Sequence, residues 1–139
     1  MFVTRLHVQY LSTRNNELKK SFSEILFQGL SKDGGLFLPN TLVSIDLNEL
    51  EKKTYKEIAF LIIYPYLKES ISEKELKSIL NNTYNNFNHH NIAPLVNIEK
   101  NKFILELFYG PTLAFKDYPM QFLGNIFSYF LKSTDKKIT

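Results

Sequence analysis

The pattern of apolar and polar positions predicts three helices in the first two thirds of the chain. Each begins at a hydroxyl residue that is followed three positions later by a glutamate. Such a pair forms a capping box, in which the hydroxyl accepts from the N3 amide and the glutamate reaches back to the cap amide. Behind each pair the apolar residues recur at helical spacing. The pairs are Ser21 and Glu24, Thr54 and Glu57, and Ser72 and Glu75.

Glycine and proline residues mark where these elements end. The first helix is predicted to end at Gly29 or at the glycines of residues 34–35, because glycine readily adopts the left-handed conformation found at helix C-termini. Residues 36–38 then form a short predicted strand that Pro39 closes. Pro65 is expected to kink or end the second helix, since proline has no N–H to donate.

The third helix and the segment after it differ in character. The helix carries Leu76, Ile79 and Leu80 on one face, with Tyr84 or Phe87 as further members. Residues 81–91 are polar and rich in asparagine, which predicts a loop and a domain boundary. After this boundary, residues 93–98 and 103–107 are apolar and flank a polar turn, as in a β-hairpin.

A last helix is predicted from about Asp117 or Pro119 to Lys132, apolar over more than half of its circumference. Such a helix requires burial on several sides. Together these elements predict an α+β chain as it stands, within an α/β class. A mainly helical domain covers residues 1–91, and residues 92–139, with the hairpin and the last helix, form a second part.

Composition narrows the class of protein. The 139 residues suffice for one ordinary core, and 44% apolar residues are too many for a disordered chain. The net charge of +3 comes from lysines that are spread and interleaved with glutamates, so we expect no nucleic-acid partner. The absence of cysteine excludes disulfides and cysteine metal sites. His89 and His90 stand without a third ligand at a usual spacing, so no metal site is expected.

The sequence predicts a cytoplasmic location without a membrane partner. Its longest apolar stretches fall well short of the roughly 20 residues that span a bilayer. The first residues lack the basic region and long apolar stretch of a secretory signal.

Lys116 is the strongest candidate for chemistry. It follows Leu113, Ala114 and Phe115, and Asp117 comes next. A lysine that forms a Schiff base must be partly deprotonated, and both an apolar surround and the positive end of a helix dipole favour the neutral amine. The alternative is a lysine that merely caps a loop, and from the residues alone this alternative is favoured.

Two blocks of the sequence resemble the threonine synthase family. Residues 106–117 read Glu-Leu-Phe-Tyr-Gly-Pro-Thr-Leu-Ala-Phe-Lys-Asp and match the cofactor-lysine motif of that family at all but one position. The Ser-Thr-Arg of residues 12–14, the helix start at residues 21–24 and the Asp-Gly-Gly-Leu of residues 33–36 resemble its N-terminal domain. The resemblance extends from Tyr10 to the end of the chain.

The resemblance implies a fold-type-II enzyme that uses pyridoxal 5′-phosphate (PLP). Such a lyase converts O-phospho-L-homoserine and water to L-threonine and phosphate. Lys116 would hold the cofactor as a Schiff base and then shuttle protons, while the cofactor serves as the electron sink. Thr112 and Asp117 are expected beside it as neighbours that shape the site. Arg14 is expected either to meet the substrate phosphate or to form an interdomain salt bridge.

The chain departs from the family pattern at three places. Tyr109 stands where the family usually has histidine, and Asn15 stands where it often has glycine. The Ser/Gly/Thr-rich loop that cradles the PLP phosphate is not found after Lys116. We therefore expect a truncated or split N-terminal part that is inactive alone and requires the missing C-terminal part of the enzyme as its partner. The alternative is a non-catalytic remnant or a helical protein-interaction module.

Overall fold

The computed structural model describes residues 7–132, and within them four α-helices accompany two small sheets. The helices are α1 Phe22–Gln28, α2 Tyr55–Leu67, α3 Glu73–Tyr84 and α4 Asp117–Leu131, with a short 3-10 helix at Leu47–Leu50. The strands are β1 Tyr10–Ser12, β2 Lys19–Lys20, β3 Phe37–Pro39, β4 Leu95–Glu99 and β5 Lys102–Leu105. This mixture confirms the α+β prediction. Residues 136–139, whose sequence looks like the opening of a further strand, lie outside the described residues.

The three predicted helix starts are confirmed by their hydrogen bonds. The amide of Thr54 donates to Glu57 at 2.7 Å, and the amide of Glu57 donates back to the Thr54 hydroxyl at 3.4 Å. The second pair of this kind joins Ser72 and Glu75, at 3.2 and 3.3 Å. In α1 the carboxylate of Glu24 accepts from both the amide and the hydroxyl of Ser21 at 2.8 Å. Local capping therefore fixes where these helices begin.

The chain divides into two compact units. The described part of the first unit is residues 7–51 and 60–76, and that of the second is residues 52–59 and 77–132. These units are defined by contacts within this chain. The predicted division of family domains between residues 91 and 92 stays a prediction.

The first unit is built on an antiparallel sheet with strand order β2-β1-β3. Leu11 pairs with Lys19 on one side and with Leu38 on the other. The hydroxyl of Tyr10 donates to the backbone oxygen of Tyr66 at 2.9 Å, which ties the sheet to the end of α2. The buried apolar residues of this unit are Val8, Tyr10, Leu67, Ile71 and Leu76.

The second unit contains the C-terminal half of α3, the hairpin β4–β5 and α4. The apolar face predicted for α3 is confirmed, because Leu76, Ile79, Leu80 and Tyr84 are all buried. In this unit the hydroxyl of Thr83 accepts a hydrogen bond from the side-chain Nδ2 of Asn125 in α4 at 3.2 Å. The buried residues of α4 are Asp117, Tyr118, Ile126 and Phe130.

Two local predictions need correction. Residues 81–82 were expected in a loop, but α3 continues through both asparagines to Tyr84. Asparagine lowers helix propensity only modestly, and the burial of Leu80 and Tyr84 outweighs that cost. Helix α2 continues past Pro65 and ends at Leu67, and the amide of Lys68 still donates to the oxygen of Tyr64 at 2.9 Å. The missing N–H of Pro65 therefore removes one hydrogen bond within α2 without ending the helix at that residue.

The predicted hairpin is confirmed. Strands β4 and β5 are antiparallel, with Leu95 opposite Leu105 and Val96 opposite Ile104. The turn places Asn101 at φ 64°, in the left-handed region that asparagine tolerates well. Within residues 7–132 no helix is long and apolar enough to cross a membrane.

Candidate functional site

Lys116 is the last residue before α4, as the sequence predicts. Its backbone is already helical, with φ −63° and ψ −19°. The side chain is exposed, and its Nζ lies 5.3 Å from the centroid of the Phe115 ring. Among the described residues, no carboxylate oxygen lies within 4.0 Å of this amine. The amine is therefore accessible to a reagent from solution.

The segment before Lys116 is a tight turn. The amide of Leu113 donates to the oxygen of Gly110 at 3.1 Å, and the amide of Asp117 donates to the oxygen of Ala114 at 2.9 Å. Leu113 has φ 61°, a left-handed conformation that a bulky side chain rarely adopts. Such a conformation persists only where the surrounding structure enforces it.

Thr112 and Asp117 are the pair that closes this turn. The carboxylate of Asp117 accepts from the amide and from the hydroxyl of Thr112, both at 2.8 Å. Asp117 is only 3% exposed. Gly110 is packed against it, because a Cβ on Gly110 would overlap the Asp117 side chain and lie 2.7 Å from its Cγ. We call this arrangement of Gly110, Thr112 and Asp117 the lysine turn.

The carboxylate of Asp117 is held ionised. Burial by itself would raise its pKa, but the hydrogen bonds to the carboxylate, above all those from the amide and hydroxyl of Thr112, together outweigh burial, so the pKa is lowered below its usual value. A charged acceptor strengthens both hydrogen bonds. The lysine turn is therefore held most firmly at neutral pH.

A cluster of aromatic residues anchors the start of α4 in the second unit. The hydroxyl of Tyr118 donates to the oxygen of Ile92 at 2.7 Å, and the hydroxyl of Tyr84 donates to the oxygen of Tyr118 at 3.3 Å. The ring of Tyr118 meets Phe87 edge-on at 4.9 Å and Tyr55 at 6.2 Å. Sequence reasoning did not single out Tyr118 for this role. The sequence signal that could have indicated this role is the position of Tyr118 directly after Asp117, at the start of the helix.

The apolar surround expected around Lys116 is not formed by the described residues. Leu113 is 66% exposed and Phe115 is 61% exposed. The reason lies in the order of the residues, because Asp117 and Tyr118 occupy the buried positions of this turn. The residues before them are left at the surface, and the centroid of the Phe115 ring lies 5.3 Å from the lysine Nζ.

Tyr109, which replaces the family's histidine, is fixed by contacts on both sides. Its hydroxyl donates to Glu106 at 2.8 Å, and its backbone oxygen accepts from the amide of Asn88 at 2.8 Å. The hydrogen bond to Glu106 raises the pKa of Tyr109. This tyrosine is therefore held as a neutral phenol, and it directly precedes the first residue of the lysine turn.

Arg14 lies in the first unit and belongs to a second turn of similar construction. Its Nη1 donates to the backbone oxygen of Asp33 at 3.0 Å. The carboxylate of Asp33 accepts from the Ser12 hydroxyl at 2.8 Å and from the Gly35 amide at 2.9 Å. The Gly35 amide is the main cause of a lowered pKa at Asp33. The contact between Ser12 and Asp33 was not predicted, although the two residues belong to matching parts of the resemblance.

The two histidines show no metal-binding arrangement. The rings of His89 and His90 stack at 4.6 Å, and His89 Nδ1 accepts from the amide of Asn91 at 3.1 Å. Across the part of the chain that the structure describes, no three histidine, aspartate or glutamate residues converge as a metal site would require.

Comparison with known proteins defines the class first. The chain aligns with solved threonine synthases over most of its length. The PLP-bound threonine synthase from Brucella melitensis is 36% identical, with a TM-score of 0.87, over 91% of this chain and 28% of that chain. The threonine synthase from yeast is 40% identical, with a TM-score of 0.85, over 94% of this chain and 28% of that chain.

Residues 9–84 match the family described as threonine synthase N terminus, and the chain belongs to this family. The threonine synthase of Pseudomonas aeruginosa is 37% identical over 134 residues, which cover 94% of this chain and 29% of the relative. That of Saccharomyces cerevisiae is 41% identical over 139 residues, which cover 93% and 27%. The chain thus spans less than a third of the length of these relatives.

Proposed function

We propose that this chain supplies the N-terminal part and the cofactor lysine of a threonine synthase. The reaction is the conversion of O-phospho-L-homoserine and water to L-threonine and phosphate. The observation that carries the proposal is the exposed amine of Lys116, presented at the start of α4 by the lysine turn. Family membership and the likeness to a PLP-bound relative support it.

The residues present fit a PLP aldehyde at Lys116. The amine is exposed and has no carboxylate within 4.0 Å among residues 7–132, so deprotonation would leave it available to a carbonyl carbon. When bound, PLP supplies the electron sink that the replacement reaction needs. Lys116 would then bind the cofactor and move protons at the substrate carbons.

The other predicted site residues receive different roles in this proposal. Thr112 and Asp117 position Lys116, because their side chains are engaged with each other. Arg14 keeps its two predicted roles, a contact with the substrate phosphate or an interdomain salt bridge. A guanidinium carries five N–H donors, so its hydrogen bond to Asp33 leaves capacity for a phosphate oxygen.

The chain by itself should bind PLP weakly. Between Lys116 and Thr139 the sequence has a single glycine, Gly124, and this residue lies within α4. The expected phosphate cradle would contribute several charge-assisted hydrogen bonds of about 1.5–3 kcal/mol each. We propose that residues 92–139 begin a fold-type-II PLP domain, which other parts of the enzyme complete in the cytoplasm.

A chimera tests the function directly. This chain replaces the aligned part of the yeast threonine synthase, and threonine formation from O-phospho-L-homoserine is measured. We expect activity, and we expect Lys116→Ala to lower it by about 10²–10⁴-fold or more. The matched control is Lys74→Ala, which removes an exposed lysine from α3. A folded chimera without activity would favour the non-catalytic alternative, and activity that survives Lys116→Ala would contradict the assigned role.

A further inference from the structure

The hairpin of residues 95–105 exposes apolar side chains on both of its faces. Cross-strand pairing places Leu95, Leu105 and Phe103 on one face and Val96 and Ile104 on the other. Their exposed fractions run from 38% to 63%. The hydrogen bond from the amide of residue 106 to the oxygen of residue 94 continues the pairing beyond the strands at 3.0 Å. We refer to this element as the apolar hairpin.

Two apolar faces are unusual for an exposed hairpin. An antiparallel pair that faces water on one side alternates apolar and polar residues, whereas a strand buried on both faces is apolar throughout. A two-stranded hairpin is also marginally stable in water by itself. The apolar hairpin therefore has the sequence of an element that is covered on both sides.

The tip of the hairpin has the opposite character. Lys102 forms an ion pair with Glu99 at 2.7 Å, and both side chains are 64% exposed. Residues 99–102 read Glu-Lys-Asn-Lys. A partner that fits this element would cover the two faces and leave the charged tip in water.

We propose that the apolar hairpin is the docking surface for a polypeptide equivalent to the C-terminal part of the threonine synthase fold. The inference rests on the proposed function, since the partner is the rest of the same enzyme, whether continuous with this chain or separate. The aligned segment covers 29% of the Pseudomonas aeruginosa relative, so the other 71% of that relative is left to supply the cover. A polypeptide more than twice as long as this chain can reach both faces.

A second copy of this chain fits the hairpin less well. A two-fold dimer uses the same patch on both subunits. Such a dimer would cover either the Leu105 face or the Ile104 face and leave the other apolar face in water. A larger partner of different sequence has no such restriction.

Co-expression tests the docking. The chain is produced with a polypeptide that comprises the C-terminal 71% of the Pseudomonas aeruginosa enzyme, and the complex is isolated and weighed by sedimentation. We expect a one-to-one complex without added PLP. Leu105→Lys on one face and Ile104→Lys on the other should each weaken it by about tenfold or more, because each buries a charge. Leu42→Lys changes a residue that is 82% exposed in the first unit and should leave it intact.

Two further measurements separate docking from folding and from catalysis. Circular dichroism of each variant chain must match the unsubstituted chain, and Lys116→Ala must dock normally. In the yeast chimera, the amides of residues 95–105 should exchange hydrogen at least about tenfold more slowly than in the chain alone.

Several results would overturn the inference while leaving the proposed function intact. They are an active chimera whose hairpin amides stay unprotected, a complex that tolerates both hairpin variants, or a homodimer that a single face variant abolishes. Failure of the proposed function looks different, since docking and protection would then persist in an inactive chimera.

Discussion

Two turns in this chain share a construction and treat their basic residue in opposite ways. In each, an aspartate accepts from a hydroxyl and from a backbone amide, and a glycine packs where a Cβ would collide. In the first unit, Asp33 binds Ser12, and Arg14 is fastened to the Asp33 backbone at 3.0 Å. In the lysine turn, Asp117 binds Thr112, and Lys116 is left exposed beside a ring. The same arrangement of hydrogen bonds holds the Arg14 side chain in place but leaves the Lys116 side chain exposed.

The separation along the sequence explains part of this difference. Ser12 and Asp33 are 21 residues apart, so their hydrogen bond joins the β1 end to the loop before β3. Thr112 and Asp117 are 5 residues apart, so theirs shapes only the approach to α4. A hydrogen bond between near neighbours can fix the backbone of a turn while a side chain between them stays exposed. The first turn thus joins distant parts of the first unit, and the second orders only the residues beside Lys116.

The largest expected effect comes from adding a methyl group to either turn. Gly110→Ala should destabilise the chain by about 1–3 kcal/mol, because the new Cβ would overlap the inner part of the Asp117 side chain. Gly35→Ala should also destabilise the chain, because its Cβ would overlap the Ser12 hydroxyl, which is held by its hydrogen bond to Asp33. Urea unfolding followed by circular dichroism measures both.

Gly124→Ala is the matched control for those two variants. Nothing lies within 4 Å of a Cβ at this position inside α4, so the alanine should stabilise the chain by about 0.5–1 kcal/mol. Equal loss of stability in all three variants would contradict the packing described for the lysine turn.

The next effect is the loss of one hydroxyl from the lysine turn. Thr112→Val keeps the shape of the side chain but removes the donor to Asp117, so a few degrees should be lost from Tm. Thr112→Ser keeps the donor and should recover most of the loss. If Thr112→Val unfolds at the same temperature as Thr112→Ser, the hydroxyl does not hold the turn.

Acid should weaken both turns and the first helix start. The pKa values of Asp33 and Asp117 are lowered, and that of Glu24 is lowered from 4.5 to about 2. A carboxylate with a depressed folded pKa contributes stability that is present above its unfolded pKa and lost as pH falls through the folded value. Stability should therefore fall as pH drops from about 4.5 towards 2. Asp117→Asn should reduce the loss of stability as pH falls. An unchanged slope of stability against pH would contradict the stabilising role of the ionised Asp117.

The smallest expected effect distinguishes the two basic residues. Lys116→Ala should change the free energy of unfolding by less than about 0.5 kcal/mol, because the side chain is exposed. Arg14→Ala should cost about 0.5–1.5 kcal/mol, since it removes the hydrogen bond to Asp33. The reverse order would show that the lysine fastens the fold and the arginine does not.

Much of the local structure could be predicted from the sequence, because the signals that decide it are local. The caps at Ser21, Thr54 and Ser72 fix helix starts through neighbours three residues away. The extension of α3 through residues 81–82 could not be predicted in this way, since burial of Tyr84 decides it. Burial in the core outweighs a low helix propensity at such positions.

The sequence predicts Lys116 as the candidate lysine but does not predict its environment. The motif of residues 106–117 singles out Lys116, and the apolar residues that flank this lysine predict an apolar environment for it. Whether Leu113 and Phe115 are covered depends on what packs on them, and in this chain they are exposed. The bond between Thr112 and Asp117 depends on the left-handed Leu113, which no spacing rule indicates.

If the lysine turn presents Lys116 as the anchor of PLP, the cofactor should be found on this lysine. The yeast chimera is loaded with PLP and reduced with borohydride, and the modified peptide is mapped by mass spectrometry. We expect one phosphopyridoxyl group, on Lys116. A group on another lysine of an active chimera, with Lys116 unmodified, would contradict it.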